Sequence, residues 1–128
     1  MHLNLQPIFE SFKPFEISLN GFGSFDKKNN KVIYLHAEEN NLLSEMHRKL
    51  MLLLRAEFNF SETETAFEFH PHITIASRDL SSENFHKAWL EYKDKPFRAK
   101  FYVNRAYLMK HNFKKWEVLS EFQFRRDR

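Results

Sequence analysis

The apolar residues of this 128-residue chain keep changing period, and that change limits the folds open to it. Large apolar residues at three- and four-residue steps make a helical stripe, while every-second-residue spacing makes one face of a strand. Leu5, Ile8, Phe9 and Phe12 follow the helical rule, so Leu3 to Phe12 reads as the last turns of a helix, a reading that Pro7 opposes unless it sits in the first turn. Phe15-Glu16-Ile17-Ser18-Leu19 alternates as a strand, and Asn20-Gly21-Phe22-Gly23 reads as a bend rather than a phosphate cradle. After a polar turn at Asp26 to Asn30, Lys31 to Ala37 alternates again, with Val32, Tyr34 and His36 on one side and Ile33 and Leu35 on the other.

Asn40 or Asn41 is placed to cap a helix that carries Leu43, Met46, Leu50, Leu53 and Leu54 on one face. A polar loop over Ser61 to Thr65 leads to a strand from Phe69 to Ser77. Ser81 can cap a helix bearing Phe85, Ala88, Trp89 and Tyr92. The chain ends in an expected hairpin of two long strands, Phe97 to Lys110 and Lys115 to Phe124, turning near Asn112. The order is helix, two strands, helix, strand, helix, two strands. It predicts an α+β fold, an antiparallel sheet with helices packed on one side.

The chain has room for a single domain, and its 15 phenylalanines supply enough large apolar surface for a core. With no cysteine there is no disulfide framework, thiolate zinc site or cysteine nucleophile, and a cytoplasmic location is expected. The most apolar run, Leu50 to Leu54, is far too short to span a bilayer, and the first residues lack a signal-peptide pattern, so no membrane role is expected. The net charge of +3 owes part of its excess to Arg125, Arg126 and Arg128. Such a mild balance suits a polyanionic partner but equally a solvated basic tail.

The most informative stretch is Phe69-His70-Pro71-His72-Ile73-Thr74-Ile75-Ala76. On a strand, His70, His72, Thr74 and Ala76 share one face, and Ile73 and Ile75 the other. Burying the isoleucines against helices would show an imidazole and a hydroxyl together to a groove. An imidazole, with an unperturbed pKa of about 6.5, carries a proton either way, and a threonine hydroxyl can donate to a phosphate oxygen. The bland alternative is a strand entry with surface histidines. Metal binding by His70 and His72 lacks an obvious third ligand, so no metal and no cofactor is expected.

Around that stretch the chain resembles bacterial 2′-5′ RNA ligase-like proteins of the two-histidine phosphoesterase superfamily. The resemblance lies in Pro14-Phe15-Glu16-Ile17, Leu19-Asn20-Gly21-Phe22-Gly23-Ser24-Phe25, Val32-Ile33-Tyr34-Leu35, the His72-Ile73-Thr74-Ile75 motif and Arg78-Asp79-Leu80. It continues through Ala88-Trp89, Lys95-Pro96-Phe97, Tyr107-Leu108-Met109-Lys110-His111-Asn112 and Trp116, covering about Pro7 to Phe124. It implies a bilobal fold in which each half carries one His-x-Thr/Ser motif facing a cleft. It also implies metal-independent acid–base chemistry on cyclic or 2′-5′ phosphodiesters of RNA or nucleotides.

Carried onto this sequence, the second motif makes His72 the acid–base residue and Thr74 the phosphate donor. His70, on the same face, and Arg78, just beyond the strand, are the expected substrate-binding residues, although an ion pair with Asp79 or Glu83 competes for Arg78. The first motif should lie upstream of Pro7. His2-Leu3-Asn4-Leu5 only imitates it, since too few residues separate His2 from Phe15 to hold a helix at about 1.5 Å per residue. The expectation is therefore a single domain over residues 1–128 that lacks the N-terminal strand, a helix and the first histidine motif. Such a chain is expected to be weakly active or inactive. The alternatives are a non-catalytic RNA- or nucleotide-binding remnant and self-association through an incomplete edge.

Overall fold

The computed structural model describes residues 4–28, 30–57, 59–60, 69–77 and 80–126. Its elements are α1 (Gln6–Glu10), β1 (Phe15–Lys27), β2 (Asn30–Ala37), α2 (Asn41–Glu57), β3 (His72–Ala76), α3 (Ser82–Tyr92), β4 (Arg98–Val103), β5 (Arg105–His111) and β6 (Trp116–Gln123). The class is α+β, with antiparallel strand pairs and helices laid against them. The expected loop at Ser61 to Thr65 lies outside the described residues.

The chain divides into two compact units, each assembled from separated segments. The first draws on residues up to Glu16, on 40–69 and on 102 onward. Here α1 presents Phe9 to Phe122 and Phe124, with ring centroids 5.2 and 6.0 Å apart, and Phe124 also stacks on Phe15 at 5.8 Å. Pro7 sits in the first turn of α1, where its missing N–H costs no helical bond. Asn40 caps α2, its Oδ1 accepting from the N–H groups of Leu42 and Leu43 at 3.0 and 3.1 Å. β5 and β6 form a two-stranded antiparallel sheet.

The second unit, residues 17–39 and 70–101, holds most of a four-stranded sheet in the order β3-β2-β1-β4. β1 pairs antiparallel with β2, and β2 with β3, so β3 lies at one edge. α3, capped by Ser81 through the Asn84 N–H at 3.1 Å, packs on β2. Phe85 of α3 and Ile33 of β2 are the most deeply buried large side chains, at 1% and 2% exposure. No helix among the described residues is long and apolar enough to cross a membrane.

Three expectations are corrected. The bend at Asn20 to Gly23 is a β-bulge within one long strand: the β1–β2 register shifts between Leu19 and Phe22, and Gly21 takes the extra turn at φ +75°. The long strand Phe97 to Lys110 is two strands, because the chain leaves one sheet at Val103 and enters the other at Arg105. Ile73 and Ile75 are not buried against helices. They are 40% and 47% exposed, since β3 is an edge strand.

Candidate active site

Register decides what surrounds the His-x-Thr motif. In the β2–β3 ladder His36 lies opposite His72, and Tyr34 opposite Thr74. Alternation then puts these four side chains on one face of the sheet. His70 precedes the strand, and its ring turns back over the same face. Its Nε2 lies 2.8 Å from the Tyr34 hydroxyl, and its ring meets those of Tyr34 and Phe25 edge-on at 5.2 Å each. The His36 ring centroid lies 6.3 Å from that of His70.

His72 is held from two directions. Its ring meets Phe25 edge-on at 5.3 Å and Tyr34 at 5.1 Å. Its Nδ1 lies 2.7 Å from the backbone carbonyl oxygen of His70. A carbonyl oxygen only accepts, so Nδ1 carries the hydrogen and donates it. In the neutral ring Nε2 then holds the lone pair. Both His72 and the neighbouring Thr74 are exposed to solvent.

The support beneath this pair is dry. Tyr34 is only 5% exposed, and burial raises its hydroxyl pKa above the ordinary 10.0, so it remains a neutral hydrogen-bonding group throughout the physiological range. The Tyr34 ring lies across Gly23, its cross-strand partner on β1, and any Cβ at position 23 would collide with it. A glycine in mid-strand thus clears the seat for the tyrosine.

His70, His72 and Thr74, predicted from the sequence, are brought together. Arg78 lies outside the described residues, as does Asp79. Tyr34, His36 and Phe25 are additions. Tyr34 and His36 could have been suspected from their shared face of β2, but nothing in the sequence tells which strand they adjoin. Among the described residues no group of three or more histidine, aspartate or glutamate side chains is arranged to hold a metal ion. The geometry offers a fixed imidazole lone pair beside a hydroxyl donor, on an open strand, above an aromatic floor.

Compared with known proteins, residues 1–114 match the family model of the 2′-5′ RNA ligase superfamily. A comparison with curated proteins gives no match.

Proposed function

Because the chain belongs to the 2′-5′ RNA ligase superfamily, we propose that His72 and Thr74 form one half of a metal-independent phosphodiesterase site for RNA or nucleotides bearing cyclic or 2′-5′ phosphates, working in the cytoplasm. The observation that carries this reading is the hydrogen bond from His72 Nδ1 to the His70 carbonyl at 2.7 Å. It frees Nε2, beside Thr74, to take a proton from water or a ribose hydroxyl as that oxygen attacks phosphorus. The Thr74 hydroxyl then donates to a non-bridging oxygen, where charge builds up in the transition state. His70 and, from its place after the strand, Arg78 are the proposed contacts to the rest of the phosphate.

In-line displacement needs a second proton carrier on the far side of phosphorus, to protonate the departing oxygen. His36 and His70 do not meet that need, since both lie on the face of the sheet that already carries His72. His72-Ile73-Thr74 is also the only His-x-Thr or His-x-Ser in the sequence. Absence of a positioned acid or base costs about 10²–10⁴ in rate. We therefore expect slow turnover from this chain by itself.

Purified chain and His72→Ala are compared in hydrolysis of a 2′,3′-cyclic nucleotide. Slow turnover in the parent, reduced to background in His72→Ala, is the expected result; equal rates would remove His72 from the chemistry. The lone motif also favours a second reading, a binding remnant that no longer turns over substrate. That reading predicts no turnover in either protein, with RNA binding that weakens with salt and is unchanged in His72→Ala.

A further inference from the structure

The face that carries His72 and Thr74 continues across the sheet beyond β2. Leu19 of β1 pairs with Ala37 of β2, and both are buried. The Glu38 N–H donates to the Ser18 carbonyl at 2.9 Å, extending the same ladder by one residue. Alternation therefore turns Ser18 and Glu38 to the other face, the one on which His36 sits two residues before Glu38. β4 adjoins β1 on its far side, where the Phe97 carbonyl accepts from the Gly21 N–H at 2.8 Å. From β4 come Arg98 and Lys100, at alternate positions and so on one side of the strand.

Ser18, Leu19, Glu38, Arg98, Ala99 and Lys100 line one open cavity of about 410 Å³. That volume lies within the range of small-molecule sites. Its polar lining is two cations, one carboxylate and one hydroxyl. An arginine fork and a lysine ammonium are phosphate ligands, the first bidentate and the second a point charge. A lone carboxylate beside them would repel a bare phosphate, yet it suits the hydroxyls of a ribose, as acidic side chains do in nucleotide-binding folds. A nucleotide presents both groups together.

The cavity is too far from Thr74 to share its phosphate. Three strand spacings separate β3 from β4, about 14 Å at roughly 4.8 Å each. We propose that this cavity is a second nucleotide subsite, in which Arg98 and Lys100 hold the phosphate and Glu38 the ribose of a nucleotide upstream of the reacting one. A ligand that fills both sites spans at least two nucleotides. Which end of that ligand reacts rests on the reading of His72 and Thr74; the binding does not.

The test is calorimetric titration of the full chain with two unreactive probes, 3′-adenosine monophosphate and a short oligoadenylate ending in a 3′-phosphate. The oligonucleotide is expected to bind more tightly. In the double variant Arg98→Gln/Lys100→Gln the ratio of the two affinities should fall roughly tenfold, and the slope of log affinity against log salt for the oligonucleotide should shrink by about 0.7, as expected for one single-strand phosphate no longer neutralised. Glu38→Gln should weaken the ribo-oligonucleotide and leave its deoxyribose counterpart unchanged. All three positions line an open cavity, and unchanged circular dichroism confirms that the variants fold. Equal binding of both probes by the parent, no binding of either, or an affinity ratio unmoved in the double variant would overturn the subsite. Loss of turnover in His72→Ala with this ratio intact separates the two proposals: if the parent itself fails to turn over while the ratio still depends on Arg98 and Lys100, the subsite stands and the catalytic reading falls.

Discussion

β2 and β3 lie side by side in one ladder, yet they are held in opposite ways. β2 is central. Val32, Ile33 and Tyr34 are all at least nine-tenths buried, and α3 covers it through Phe85. β3 is an edge, and His72, Ile73, Thr74 and Ile75 are all exposed. β3 is placed by its backbone pairing and by the imidazoles lodged against Tyr34 and Phe25, not by burial of its isoleucines. A buried strand fixes the fold and its exposed neighbour carries the reactive groups, so substitutions in the two should separate stability from chemistry.

The largest expected effect follows from that contrast. Ile33→Ala empties a fully buried site and should cost about 2–5 kcal/mol, whereas Ile75→Ala on the exposed strand should stay within about 0.5–1 kcal/mol. Urea unfolding of both measures the gap, and equal losses would show that β3 is buried after all.

Next in size is Gly23→Ala. The new methyl meets the Tyr34 ring, and relieving that overlap should cost about 1–3 kcal/mol. The displaced ring should also release His70, seen as a change in its imidazole resonances by nuclear magnetic resonance.

Tyr34→Phe keeps the ring and removes only the hydroxyl that meets His70 Nε2, a loss of about 1 kcal/mol. Its sharper readout is nitrogen chemical shifts of the imidazoles. The His70 resonances should shift as Nε2 loses its partner, and an unchanged His70 would mean that the Tyr34 hydroxyl does not position that ring.

The smallest effect lies at the far end of β2. The Lys31 ammonium that bonds Asp26, helped by His86 nearby, holds the Asp26 carboxyl below its ordinary 3.8. A depressed carboxylate stabilises the fold above its unfolded value and ceases to as pH falls through the folded one. Asp26→Asn should therefore be slightly less stable than the parent near neutral pH, and the two should converge below the ordinary carboxylate range. A constant difference across that range would assign the effect to packing.

The sequence by itself determined what is local. Period and caps placed α2 behind Asn40 or Asn41 and α3 behind Ser81, and alternation put His72 and Thr74 on one face, because side-chain direction along one strand follows from its own backbone. Only the tertiary structure decided what depends on pairs of segments far apart in the chain. It set His36 opposite His72, laid Tyr34 over Gly23, left Ile73 and Ile75 open at an edge, and parted β4 from β5 at Asn104. Strand order and register arise from hydrogen bonding between partners that no single segment specifies, and a shift of one residue would turn every side chain to the other face.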